Sequence, residues 1–322
     1  MRRLAIAIAV FVLATVPFWV SGSFYVNVAS QILIGAIFAL SLNLLVGYAG
    51  LISLGHAALL GVAAYGVAII LNAGFGHVAA IIIALAATVA VTAIFAILAL
   101  RTTGIGFIMI TLALGQILWG LAYRWIDLTN GDNGLSASSR PAPLGISLAS
   151  ANAFYEATLV VFLLAVFAMA ALIQSPFGAS LRGTRDQPRR MTALGYDVWT
   201  IRFLTCLYSG FWSGVAGILF LYYNEFVSPH AMALSASAEV LLMVISGGSG
   251  TLLGPIAGAA LVVIMKNVAS AYIERWNFAL GTIFVVIVLF MPEGIVPGTV
   301  RLARRLWALR KRTDIPVAES GQ

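Results

Sequence analysis

The chain has 322 residues, of which 61% are hydrophobic and 9% charged; the net charge is +7 and the mean hydropathy +1.03. Soluble domains carry about 25% charged residues, so this composition excludes one. The apolar runs are long and continuous rather than alternating in ~10-residue segments, which excludes a membrane barrel and leaves an all-α, polytopic transmembrane bundle.

The basic residues cluster at Arg2–Arg3, Arg182–Arg202 and Arg301–Arg312. Each cluster flanks apolar runs, as the juxtamembrane Lys/Arg rule requires, so the excess charge does not indicate nucleic-acid binding. Cys206 is the single cysteine, and no disulfide framework or cysteine metal site can form within the chain.

In chain order, candidate spans fall at 4–20, 28–46, 52–72, 78–100, 104–125, 157–174, 203–223, 237–247, 252–270 and 277–291. Some are short or glycine-interrupted, so we expect roughly 8–10 crossings of a bilayer that needs about 20 apolar residues per helix. Segment 4–20 follows Arg2–Arg3 and reads as an uncleaved first span; a signal peptide ending near Ser21–Ser23 is the alternative. With the N-terminus inside, parity puts loop 126–156 outside and the arginine-rich loop 175–202 inside. The basic tail from Arg301 stays inside only if "SGGSG" (Ser246–Gly250) breaks the apolar stretch 235–268 into two passes. Glycines there each cost ~1 kcal/mol of helix propensity relative to alanine, so a break is expected.

"VGYAGLISLGHAALLG" (Val46–Gly61) and "ISGGSGTLLGPIAGAA" (Ile245–Ala260) share a layout. Each is an apolar run with Gly-x-x-Gly (Gly47/Gly50 and Gly247/Gly250), then Gly55 or Gly254, then a small-residue helix. Glycine-broken hydrophobic segments at corresponding places in two halves point to an internal repeat and a translocation path. The candidate path residues are Asn43, Gly47, Gly50, Ser53, Gly55, His56, Ser246, Gly247, Gly248 and Gly250, with Glu239 near the start of the second segment. His56 has two readings: a lining group of the path, or a neutral histidine bonded to a freed backbone carbonyl. Glu239 also has two: facing the path, or sitting at the interface near a helix N-terminus. No His/Cys/Asp/Glu spacing suits a metal ion or a catalytic centre.

Loop 175–202 carries five arginines and Pro188. "RRMTALGYDVW" reads as a short helix after the proline, ended by Gly195. A positive-inside anchor needs the arginines but not a capped helix; a docking element for a cytoplasmic partner needs both.

"SLNLLVGYAGLISLGHAALLGVAAYGVAI", "SPFGASLRGTRDQPRRMTALGYDVWTIRF" and "SAEVLLMVISGGSGTLLGPIAGAALVVIMKN" together resemble the permeases of branched-chain amino acid ABC importers, the LivM-like subunit, over about residues 30–298. The resemblance implies one permease domain over 1–322, with 175–202 as cytoplasmic coupling loop and 301–322 as cytoplasmic tail. It implies a multi-pass protein of the bacterial inner membrane with both termini cytoplasmic and no enzyme activity of its own. Its partners would be a second, LivH-like permease, two cytoplasmic ATPases and a periplasmic substrate-binding protein. Cofactors, ATP and Mg, would be bound by the ATPases. Residues Arg185, Asp186, Arg189, Arg190, Leu194 and Gly195 would form the docking element; Pro188 stands where family loops often carry an acidic residue. The chain has no G-x-x-x-x-G-K-[ST] phosphate loop, and its only lysines are Lys266 and Lys311. The alternative is a secondary transporter driven by an ion gradient, which would want intramembrane carboxylates; Glu239 is the only suitable one.

Overall fold

The computed structural model describes residues 22–137, 140–141, 148 and 150–272, with single positions beyond at 278, 281, 282, 285, 289, 294–296 and 298. The expected span at 4–20, most of 277–291 and the tail 301–322 lie outside the described residues.

Helix α1 (Ser23–Asn43) is apolar all round and runs directly into a π-helical turn, Leu44–Ala49. A helix without a polar face belongs inside a core or a membrane. Of its most apolar stretch 83% is buried, against 22% for α4 (Ile105–Arg124), so α1 is the central helix and α4, followed by the single turn α5 (Ile126–Thr129), is peripheral. Four helices pack on α1: α6 (Ala151–Gln174), α9 (Val198–Asn224), α10 (Leu234–Gly247) and α11 (Leu253–Tyr272).

Helices α2 (His56–Asn72) and α3 (His77–Ala99) pack together and against α9. The small residues of α9 make this possible. Gly210 lies against the Thr92 side chain, Gly214 against Thr88 and Gly217 against the Leu60 carbonyl. Small residues let helix backbones approach closely where no hydrophobic force drives association. The Thr88 and Thr92 hydroxyls donate to carbonyls one turn back, at 2.8 and 2.7 Å, so neither is left unpaired at the contact.

Several expected spans begin earlier than the hydropathy alone gives, α1 at Ser23 rather than 28 among them, and in two of them a polar cap recruits the flanking residues. Ser150 Oγ accepts the Ala153 N–H (3.2 Å) and starts α6 at Ala151 rather than 157. Asp197 accepts the Trp199 and Thr200 N–H groups (3.0 and 3.2 Å) and starts α9 at Val198 rather than 203. The short helix after Pro188 is present as α8 (Pro188–Ala193). A second helix in the same loop, α7 (Pro176–Asp186), was not expected; Ser175 caps it through the Gly178 N–H (3.3 Å) and Pro176 opens it.

The break at "SGGSG" is present: α10 ends at Gly247 and α11 begins at Leu253. At 1.5 Å per residue α10 reaches ~21 Å and α2 ~26 Å, less than the ~30 Å hydrocarbon thickness. Each therefore continues in non-helical chain at membrane depth, which is tolerated only when covered by protein.

At the opposite end, β1 (Leu135–Ser136) pairs antiparallel with β2 (Phe226–Val227). Arg140 donates to the Tyr222 and Tyr223 carbonyls (3.0 and 3.2 Å) at the C-terminus of α9 and pairs with Glu225 (3.0 Å). A cation there satisfies orphan carbonyls and complements the helix dipole.

Candidate translocation and coupling site

The first break follows the π-helical turn. Gly50 turns the chain with φ +70°, a left-handed conformation open to glycine, and the Leu51 N–H reaches back to the Leu45 carbonyl (2.8 Å). Residues 51–55 then run without regular structure to the start of α2 at His56. Ser53 and Gly55 are buried on this segment. The Leu54 N–H donates to Thr111 Oγ1 of α4 (3.3 Å), and Gly55 abuts the Thr111 carbonyl. The α2 N-terminus is capped from another helix: the Ala57 N–H donates to Ser237 Oγ of α10 (3.1 Å). A freed backbone donor is thus satisfied by a residue 180 positions away.

The second break is tighter. Thr251 accepts the Gly254 N–H (3.0 Å) and donates to the Gly248 carbonyl (2.9 Å), closing the turn between α10 and α11. Gly247 abuts the Gly254 carbonyl, and the buried Ser246 hydroxyl makes a long back-bond to Met243 (3.5 Å). The two segments that share a sequence layout therefore differ in backbone: one has a π-helical turn and an irregular entry, the other a short capped turn.

The two breaks touch. Asn43, 1% exposed, accepts the Gly250 N–H on Oδ1 (2.9 Å) and donates from Nδ2 to the Thr251 carbonyl (2.9 Å). All of its near hydrogen bonds go to backbone that the second break has released. Gly47 lies directly on Gly250: a Cβ at Gly47 would overlap the Gly250 backbone and Asn43 Oδ1. Here glycine is required by close approach rather than by φ. Of the expected path residues, Asn43, Gly47 and Gly250 form one cluster, with Gly50 and Gly248 at its edge.

His56 is tied to α1 by a different route. Ser41 Oγ donates its one hydrogen to the Phe38 carbonyl (2.7 Å), so in the 2.8 Å Ser41–His56 contact the ring Nε2 is the donor. A neutral ring then leaves Nδ1 as an acceptor, and that atom is buried without a partner among the described residues. Phe38 stacks on the ring at 5.4 Å. From α9, Ser209 donates to the Ser41 carbonyl (2.6 Å) and Ser213 approaches the His56 carbonyl (3.5 Å). The histidine therefore bonds to a side chain and not to a freed carbonyl.

Glu239 sits apart from both clusters. It lies in the second turn of α10, its side chain 24% exposed, and pairs with the more exposed Lys266 of α11 at 3.3 Å. To the two readings of Glu239, facing the path or sitting near a helix N-terminus, the structure adds an ion pair between neighbouring helices close to the start of α10. Among the described residues no three His, Cys, Asp or Glu side chains gather for a metal ion.

The five arginines of loop 175–202 separate by geometry. Arg182 donates to the Ile173 carbonyl (2.9 Å) and Arg202 to the Thr184 carbonyl (3.2 Å), bracing α7 against α6 and α9. Arg189 and Arg190 are exposed on α8, as are Asp186, Leu194 and the left-handed Gly195 (φ +88°). Arg185 turns the other way and donates to the Gly47 carbonyl (2.5 Å). Sequence reasoning missed Ser41, Thr111, Ser209, Ser237 and Thr251; each is a polar residue in or beside an apolar run, but nothing local tells which partner it finds.

Central α1, two helix pairs broken at glycine and joined at their breaks, and a helical loop beneath them define a polytopic helical permease. The branched-chain amino acid transport system permease component family matches residues 24–291, and the chain belongs to this family. It is the permease subunit of an ABC-type importer and not an ion-driven carrier. Its relatives include the high-affinity branched-chain amino acid transport system permease protein LivM of Salmonella typhimurium, 28% identical over 88% of this chain and 72% of the relative. LivM of Escherichia coli is 27% identical over 91% and 74%. A probable LivH permease of Methanocaldococcus jannaschii is 27% identical over 58% of each chain. No solved structure matches.

Proposed function

We propose that this subunit pairs with a second, LivH-like permease and imports branched-chain amino acids, or a related small amino acid, amide or carboxylate. Two cytoplasmic ATPases drive it and a periplasmic binding protein delivers the solute. In this reading the chain lies in a bacterial inner membrane with both termini cytoplasmic, and ATP and Mg bind only to the ATPases. The observation that carries it is the Asn43 bridge, which holds the two breaks together at the edge of the coupling loop.

Movement at one break is then felt at the other, as alternating access requires. Broken-helix ends offer dipoles to the charges of a zwitterion. The buried Nδ1 of His56 offers an acceptor to a solute ammonium or amide N–H. Docking falls to exposed residues on and beside α8: Asp186, Arg189, Arg190, Leu194 and Gly195; Arg185, expected among them, points to Gly47 instead.

The test is reconstitution of the full importer in vesicles with Gly195→Val. No Cβ at Gly195 meets a neighbour within 4 Å, so only the left-handed backbone resists the change. Uptake coupled to ATP hydrolysis is expected to stop while the permease stays inserted; normal coupled turnover would sink the docking assignment. Leucine binding to the cognate binding protein tests the solute, and a preference for urea or an aromatic acid would overturn it.

A further inference from the structure

We propose that Arg185 is the strut through which movement of loop 175–202 reaches both helix breaks; the inference rests on the proposed function above. Three contacts define it. Its guanidinium donates to the Gly47 carbonyl, one of the last carbonyls of the α1–π segment and so without an intrahelical partner. Its Nε is held by Asp186 Oδ1 at 2.9 Å, which fixes the plane of the group from the adjacent residue of the loop. Its stem lies under the first turn, where a Cβ at Gly50 would come within 2.7 Å of Arg185 Cγ.

The second break is within the same reach. A Cβ at Gly250 would lie 3.8 Å from an Arg185 guanidinium nitrogen, and Asn43 binds the Gly250 N–H and the Thr251 carbonyl. One side chain from the loop thus touches the first break and borders the second, while Asn43 clamps the two. A positive-inside anchor needs no such contact, and Arg182, Arg189, Arg190 and Arg202 make none to Gly47 or Gly250 among the contacts seen. The side chain is 41% exposed, so it can detach when the loop moves. A guanidinium at a helix C-terminus also complements the negative end of the helix dipole, and its withdrawal leaves that end uncompensated.

The test uses the assembled importer with wild-type chain, Arg185→Gln and Arg185→Lys. Two quantities are read: solute moved per ATP hydrolysed, and hydrogen exchange at the Leu51 and Gly250 amides. Arg185→Gln is expected to purify with its ATPases and to move about tenfold less solute per ATP, with exchange at both amides faster by about the same factor, the scale of one charge-assisted hydrogen bond. Arg185→Lys retains an N–H donor and a charge and is expected to recover most of both. Unchanged solute per ATP in Arg185→Gln overturns the inference. So does loss of the ATPases from that complex, because Arg185 would then be a docking contact. Should the wild-type complex show no ATP-driven uptake, the proposed function fails, and unchanged exchange in Arg185→Gln would separately remove the strut.

Discussion

At the scale of the residue, His56 and Asn43 show what an isolated polar group means inside an apolar chain. His56 donates through Nε2 to Ser41, and its Nδ1 has no partner among the described residues. Glutamine at 56 preserves an N–H donor; leucine does not. His56→Leu is expected to destabilise the solubilised permease by about 1–2 kcal/mol, and His56→Gln by less, measured by thermal unfolding in detergent. If Nδ1 meets the solute, uptake in both variants falls further than stability does. Asn43→Leu removes two part-buried hydrogen bonds and strands the Gly250 N–H and the Thr251 carbonyl. The expected loss is about 2–4 kcal/mol, summed from two unsatisfied backbone groups, and a thermal midpoint equal to wild type would refute the bridge. Both residues were visible as intramembrane polar groups in the sequence. Their partners were not, because hydropathy has no term for a residue 207 positions away.

At the scale of the element, glycine acts in two ways that a substitution series separates. Gly195 is left-handed in open space, so asparagine, which tolerates that conformation, is expected to replace it with full coupled uptake. Gly50 is left-handed and also lies on the Arg185 stem, so Gly50→Asn is expected to lose uptake where Gly195→Asn does not. Equal tolerance at the two sites would refute the contact. The start of α9 carries a pH signature. The Thr200 hydroxyl and backbone, with the Trp199 N–H, hold the Asp197 carboxyl below the usual carboxylate range. A depressed folded pKa gives stability that is present above the unfolded value and lost as pH falls through the folded one. Exchange of the first α9 amides is therefore expected to quicken below about pH 4, and Asp197→Asn to remove that dependence. These caps were not legible: Asp197 lies in a stretch assigned to the loop, with the span started at 203, and Ser175 and α7 were hidden inside a loop read for its charge.

At the scale of the whole molecule, the two ends are organised differently. The breaks and loop 175–202 meet at one end, where backbone is close-packed and bridged by Asn43 and Arg185. The other end is closed by the β1–β2 pair and by Arg140, 17% exposed, over the α9 C-terminus, with its guanidinium 4.9 Å from the Phe154 ring. Arg140→Ala is expected to cost about 2–3 kcal/mol and to expose the segment 126–137 to protease. Protection equal to wild type would show that the strand pair alone closes this end.

The sequence by itself determined the class of protein, the apolar helices among the described residues and the position of the second break, because hydropathy, glycine propensity and the placement of arginine act within a single helix or loop. The family was legible for the same reason, in three contiguous motifs. Only the tertiary structure decided that the two breaks lie against each other, that Glu239 pairs with Lys266 and that Arg185 turns from the docking loop to Gly47. Those contacts join residues far apart in the chain, and they depend on how α1, α10 and α11 pack. The same glycines fit many packings until a close approach such as Gly47 on Gly250 selects one.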